Sequence, residues 1–185
     1  MALPKFDSKA VWTSGVSYSD WMAAVKNPHM REEMARIDAE VAIPEAVAAK
    51  IKALKRPVHV LAIIEDWCGD VRRNAPPLAK LCALNPDKLR LRCVDKETRP
   101  ELMVRYLTNA AEAIPIFVFY NDTFVEVGNW GPRPAECKRW MARGKAAGKI
   151  DAAREKIHAF YAADKHQSTV AEIMSLVDIA AAEEV

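Results

Sequence analysis

The chain lacks any apolar run long enough to cross a bilayer. Its longest are Val58–Ile64, which holds His59, and Ala113–Tyr120, which holds Pro115; a membrane span needs roughly 20 apolar residues. It also lacks a charge bias, with 27 Lys and Arg against 25 Asp and Glu for a formal net charge of +2. That balance excludes a strong electrostatic nucleic-acid footprint. The densest basic stretch, Lys138, Arg139, Arg143, Lys145 and Lys149, is flanked by Glu136 and Asp151 and reads as a solvated helix face. Cysteine is sparse and unpaired: Cys68, Cys82, Cys93 and Cys137 form no close pairs, so free thiols are expected rather than a disulfide framework. His29, His59, His158 and His166 are scattered, with no Cys-x-x-Cys or His-x-x-x-His spacing, so no metal site and no cofactor are expected. No P-loop, GxGxxG or Ser-His-Asp elbow is present. The opening Met1-Ala-Leu-Pro-Lys-Phe-Asp7 has no basic segment leading into an apolar one. It does not read as a secretory signal, and a cytoplasmic location is expected.

What is there is ordinary globular material: 185 residues, 51% hydrophobic and 28% charged, enough for one domain with appendages. The first 55 residues read as helices. Ser17 and Asp20 form a capping-box pattern for a helix to about Lys26. Pro28 suits the first turn of a second helix, with Met30, Met34, Ile37 and Val41 at helical spacing. Pro44 opens a third, with Val47, Ile51 and Leu54 on one face.

The middle changes character. Val58–Ile64 reads as a strand buried on both faces. A helix follows from Gly69 to Leu84, interrupted by Pro76-Pro77. Leu89–Val94 alternates as a second strand, and Arg99–Thr108 reads as helix. Ile116–Tyr120 and Thr123–Val127 read as a hairpin turned on the two residues Asn121-Asp122. The α/β order β-α-β-α-β-β-α predicts one mixed four-stranded sheet with helices on it. After Gly128 the chain returns to helix, starting at Pro132 or Pro134. In the last helix Thr169 and Glu172 form a capping-box pattern. Ile173, Leu176, Val177 and Ala180 form a stripe that must pack on the core or, as a homodimer through the C-terminal helices, on a second subunit. Packing on the core is the preferred reading.

The chemistry-bearing segment is Glu65-Asp-Trp-Cys-Gly-Asp-Val71, where a buried strand hands over to a helix. Helix N-terminal amides carry partial positive charge and favour a thiolate at Cys68. Arg72 and Arg73 would help; Glu65, Asp66 and Asp70 would oppose. The residues alone leave Cys68 open between a nucleophile and a buried structural thiol.

From Pro57 to Ala147 the sequence resembles the thioredoxin superfamily. Trp67-Cys68-Gly69 stands at the strand-to-helix junction, Pro76 lies eight residues after Cys68, Asp95 closes the second strand, Ile114-Pro115 precedes the hairpin and Gly128 ends it. The likeness is strongest to bacterial thioredoxin-like proteins with a Trp-Cys-x-Asp start and added helices. It implies a thioredoxin-like fold over residues 57–147, with a helical extension over 1–56 and another over 148–185. It also implies a cis bond at Pro115 beside Cys68, and a substrate groove formed by Trp67, Gly69, Asp70, Ile114 and Pro115. By the same layout Trp130 and Arg133 border the pocket as an apolar wall and an anion-binding fork.

The departures narrow the function. Val71 stands where dithiol thioredoxins carry the resolving Cys, and Ala62 stands where they carry a buried acid. A mixed disulfide formed on Cys68 would have no local thiol to release it. Cys82, 14 residues along the same helix, is about 21 Å away at the helical rise, beyond the ~7 Å reach of a disulfide. Cys93 and Cys137 read as structural. A single-thiol iron–sulfur site of the monothiol-glutaredoxin kind is disfavoured by Ile114 before Pro115. Two readings remain. One is monothiol thiol–disulfide exchange through Cys68, with a protein or low-molecular-weight thiol or disulfide as partner and an external thiol resolving. The other is a non-catalytic module binding a peptide or protein in the Cys68/Pro115 groove.

Overall fold

The computed structural model describes residues 6–182; the segment Met1–Lys5, on which the reading of the N-terminus depends, lies outside them. Four helices precede the first strand: α1 Ser8–Ser14, α2 Tyr18–Ala24, α3 Pro28–Glu40 and α4 Glu45–Lys52. Short polar side chains start the first three. Asp7 accepts the Ala10 amide at 2.9 Å, Ser17 the Asp20 amide at 3.1 Å and Asn27 the Met30 amide at 3.3 Å, each worth about 1 kcal/mol. The Ser17–Asp20 pattern forms only half a capping box, because the Ser17 hydroxyl itself donates to the Asp20 carboxylate at 2.6 Å. α1 adds a helix to those expected, and α2 stops at Ala24, short of Lys26.

The sheet follows. Strand β1, Val58–Ile64, is buried at every residue. Helix α5, Gly69–Ala83, leads to β2, Leu89–Asp95, which pairs parallel to β1 from Val58↔Leu89 to Ile64↔Asp95. β3, Ile116–Tyr120, runs antiparallel on the other side of β1, and β4, Glu126–Trp130, antiparallel to β3. The spatial order is β2-β1-β3-β4, the mixed four-stranded sheet expected. Pro76 and Pro77 lie inside a continuous α5 rather than ending it. Val71, Ala75, Leu78 and Leu81 are buried along it, and that packing offsets the two missing N–H donors.

Three local expectations fail for physical reasons. The hairpin does not turn on two residues. The Asn121 side chain accepts the amides of Thr123 and Val125 at 3.1 and 2.9 Å, and Phe124 takes a left-handed φ of 63°. This side-chain-mimicked turn consumes three more residues, so β4 spans Glu126–Trp130 instead of Thr123–Val127. The helix expected over Arg99–Thr108 shrinks to α6, Pro100–Met103. Beyond it Val104 and Leu107 are exposed, Tyr106 alone is buried, and Asn109 and Ala110 take positive φ, so the segment leaves the helix.

The third failure concerns the last helix. α7 Ala135–Ala146 and α8 Ile150–Asp164 form a hairpin, followed by α9 Gln167–Ala180. α9 starts after His166 in a left-handed conformation, φ 64°, so Thr169 lies inside it. Glu172 accepts the Ala135 amide at 2.9 Å, capping the start of α7 rather than of its own helix. The α9 stripe packs against β3, β4 and α5, with Ile173, Val177 and Ala180 buried. The main apolar core runs from Val11 through the sheet to Ala180, and a smaller one joins α7 to α8 through Cys137, Met141, Ile157 and Tyr161. Helices α1–α4 and α9 contribute buried residues to the same core as the sheet, whereas α8 packs on α7. Among the described residues no helix is long and apolar enough to cross a membrane.

Candidate active site around Cys68

β1 ends at Ile64, and the chain turns through Glu65–Trp67 into α5, placing Cys68 at the N-cap. Its thiol is half-buried and donates to the Ile114 carbonyl at 3.4 Å. The Ile114–Pro115 peptide is cis, as the resemblance implied. The two are brought together because β1 and β3 are neighbours, with Ile63 opposite Ile116.

Burial pushes the Cys68 thiol above its ordinary pKa. The amides of Val71 and Asp70 pull it back, the Asp70 carboxylate raises it further and Arg133 lowers it. The helix start therefore acts as expected but is outweighed by desolvation. Of the acids set against a thiolate, Glu65 accepts the Glu97 amide at 2.7 Å and Asp66 the Lys26 amide at 3.1 Å. Of the cations expected to help, Arg72 reaches His29 at 3.5 Å and Arg73 reaches His158 at 3.0 Å. Arg133, from the loop after β4, is the cation that acts on the thiol.

The other residues assigned to the groove separate. Trp67 is 59% exposed beside Cys68, its indole N–H on Glu97 at 3.2 Å. Asp70 and Arg133 form a two-pronged pair, with Nε to Oδ1 at 2.9 Å and Nη2 on Oδ2. Arg133 is thus bound to a residue of the same site, and its fork is not open to an outside anion. Burial pushes the Asp70 carboxyl up, and Arg133 counters it. Trp130 is no groove wall. It stacks on Phe117 at 5.2 Å and donates to Glu172 at 2.7 Å, buried beneath α9. The shift of β4 by three residues along the chain carried it into the sheet.

Two residues matter here that the sequence reading passed over. Gly131 has φ 138°, and a Cβ there would lie 2.0 Å from the Pro115 carbonyl oxygen, so only glycine lets the loop press against the cis-proline. The Gly131–Pro132 peptide is also cis. Asn74 is fully buried in α5. Its amide donates to the Asp70 carbonyl at 3.0 Å and the Tyr161 hydroxyl at 3.0 Å, and its oxygen accepts from Thr169 at 2.9 Å. It ties the active-site helix to α8 and α9. A signal existed: Asn is a poor helix-interior residue, yet it stands on the apolar face of Val71 and Leu78.

The other thiols are withdrawn. Cys82, Cys93 and Cys137 are 6%, 1% and 0% exposed, and burial raises all three, Cys137 to about 12. Val71, one turn past Cys68, is fully buried. Among the described residues no group of three or more His, Cys, Asp or Glu side chains is placed to hold a metal ion.

A sequence model of the family described as thioredoxin matches residues 15–154. The chain belongs to the thioredoxin family. The match begins in the N-terminal helices, well before Pro57, in keeping with the shared core. No curated protein matches the sequence. Among solved structures, a protein of unknown function from Pseudomonas aeruginosa is similar over 95% of this chain and 100% of its own, at 19% identity and a TM-score of 0.71. An HIV epitope scaffold is similar over 93% of this chain and 98% of its own, at 17% identity and a TM-score of 0.69. At these identities the likeness establishes that the thioredoxin-family fold is shared together with the added helices.

Proposed function

We propose that this thioredoxin-family chain carries out thiol–disulfide exchange with Cys68 as its one working thiol. The Cys68 thiolate attacks a disulfide, forms a mixed disulfide with one half and expels the other as a thiolate. An external thiolate then attacks the mixed disulfide, releases Cys68 and leaves with the captured half as a new disulfide. The observation that carries the reading is Cys68 at the N-cap of α5, its sulfur on the Ile114 carbonyl beside cis-Pro115, with Val71 where a resolving thiol would stand. Ile114 and Pro115 offer a backbone edge on which an extended partner segment can lie.

The second reading, a groove that binds a peptide or protein without chemistry, is favoured by one observation: burial raises the Cys68 thiol instead of lowering it. One experiment separates them. Alkylation of Cys68 is followed against pH, with Cys68→Ser as blank, and the chain is challenged with a low-molecular-weight disulfide and examined by mass spectrometry. Exchange predicts one adduct, on Cys68, released by an added thiol. A Cys68 that neither alkylates nor forms an adduct in the native protein sinks the exchange reading and leaves the binding module.

A further inference from the structure

A cavity of about 360 Å³ opens between α3, α5 and α8, lined by Arg36, Arg73, His158, Tyr161, Lys165 and His166. A smaller one of about 130 Å³ lies beside Gly69 and Asp70 and shares Arg73 and His158 with it. Together they lead from the first turn of the active-site helix to the turn between α8 and α9.

Arg73 is the unusual member. It is half-buried at the wall between the two cavities. Its guanidinium donates to the Gly69 carbonyl at 3.3 Å and to His158 Nε2 at 3.0 Å, and it lies 5.6 Å from the Tyr161 ring centre. Among the described residues it makes no salt bridge. Both carboxylates at hand are already paired, Asp70 with Arg133 and Glu40 with Arg36 at 2.7 Å. Asp70 steadies the Arg73 charge through space, but a partly desolvated guanidinium with no bonded carboxylate is costly to keep, and its planar fork fits a carboxylate in two-pronged fashion. Because His158 Nε2 accepts from Arg73, the imidazole contributes no countercharge. The far wall carries two further marks. Lys165 and His166 are consecutive residues with left-handed φ of 52° and 64°, a conformation that non-glycine residues adopt at functional sites more often than elsewhere. His166 is 8% exposed, and among the described residues its Nδ1 has no partner.

We propose that this cavity binds the carboxylate end of the small thiol or disulfide with which Cys68 exchanges, held by the N–H groups of Arg73 that its bonds to Gly69 and His158 leave over. The coupling to Cys68 rests on the exchange reading above; the carboxylate site itself does not. The smaller cavity is lined by Gly69, the residue next to Cys68.

Two disulfides serve as probes: dithiobis(nitrobenzoate), which carries two carboxylates, and dithiodipyridine, which is neutral. In each case the Cys68 thiolate forms a disulfide with one half and expels the other as a coloured thiolate, and Cys68→Ser is the blank. The carboxylated probe should react saturably. Arg73→Gln should slow it about tenfold or more beyond any change in the neutral probe, and an unchanged urea-unfolding midpoint reports an intact fold. Arg73→Lys, which keeps the charge and loses the fork, should fall between. Glutarate, a dicarboxylate without sulfur, should slow the carboxylated probe alone. Equal rates for both probes in wild type and Arg73→Gln overturn the proposal. The site is tested apart from the thiol by titrating Cys68→Ser with glutarate and following the His158 and His166 ring resonances. Saturable shifts lost in Cys68→Ser/Arg73→Gln support the site, and their absence in Cys68→Ser overturns it. Saturable shifts together with a Cys68 inert to both probes would fault the exchange reading and keep the carboxylate site.

Discussion

At the end of the sheet where β1 runs out at Ile64, buried polar groups hold one another: Asp70 with Arg133, Asn74 with Thr169 and Tyr161, Glu65 with the Glu97 amide. At the opposite end, His59 and its cross-strand neighbour Tyr120 are enclosed by rings instead. His59 stacks on Phe124 at 4.0 Å and meets Trp12 edge-on at 4.8 Å, and among the described residues its Nδ1 has no partner. Both ends bury titratable groups and shift them. The Cys68 end bonds several of them to one another beside a half-buried thiol, whereas Cys82, the thiol at the other end, is 6% exposed. A displaced pKa alone therefore does not mark the site in this molecule; convergence on a reachable atom does.

The harshest way to break the Cys68 end is Gly131→Ala. The added Cβ would fall 2.0 Å from the Pro115 oxygen, at a φ of 138°. Backbone clash and an unfavourable conformation together should cost more than about 3 kcal/mol. Urea unfolding should show the loss, and Cys68 alkylation should accelerate as Pro115 is pushed from the sulfur. Stability within about 1 kcal/mol of wild type, the ordinary effect of a point change, would mean that the loop is not pressed on the cis-proline.

Asn74→Ala should come next, at about 2–3 kcal/mol, because it strands the Thr169 and Tyr161 hydroxyls in the interior. It should also loosen α8 and α9 from α5, seen as faster amide exchange in those helices. An equal loss of protection in α1 and α2 would show that the hub is not local to the Cys68 end.

The two ends also differ in how much of them can be read from residues alone. β1, α5, β2 and the mixed sheet are legible from local apolar pattern and element order, and the Cys68–Ile114–Pro115 meeting from the resemblance to the thioredoxin superfamily. What escapes the sequence depends on side chains acting at a distance. Asn121 reshapes the hairpin by folding back on its own backbone, which moves Trp130 from the groove into the sheet. Glu172 caps a helix 37 residues before it in the chain. Arg73 and His158 meet only because α8 returns to α5, and no spacing rule connects residues 85 apart.

At the aromatic end the sharpening test is pH. Burial holds the His59 imidazole down to about 4 from its ordinary 6.5. Above pH 6.5 it is neutral folded and unfolded, and it contributes no slope. As pH falls from 6.5 towards 4 the unfolded chain takes up a proton that the folded chain refuses, so stability falls, by about 2 kcal/mol over that window. His59→Phe, which keeps a ring between Trp12 and Phe124, should flatten the curve there and leave Cys68 alkylation unchanged. An unaltered slope would assign the acid sensitivity to other groups.

The smallest change in stability should come from Val71→Cys, and its effect on chemistry is the most telling. Val71 is fully buried one turn beyond Cys68, and residues three apart on a helix have Cβ atoms about 5–6 Å apart. A slight local shift brings two sulfurs there into bonding distance. Cysteine is close to valine in volume, so the cost should stay under about 1.5 kcal/mol. Mild oxidation should then form a disulfide between Cys68 and the introduced thiol, and the variant should release a mixed disulfide without any added thiol. The gain should be partial, because Ala62, 1% exposed in β1, offers the new buried thiol no acid to exchange its proton with. Formation of that disulfide would place the difference between this chain and dithiol thioredoxins at one side chain. If the introduced thiol can be labelled but no disulfide forms, Cys68 does not sit at the helix start in solution, and the binding-module reading moves ahead.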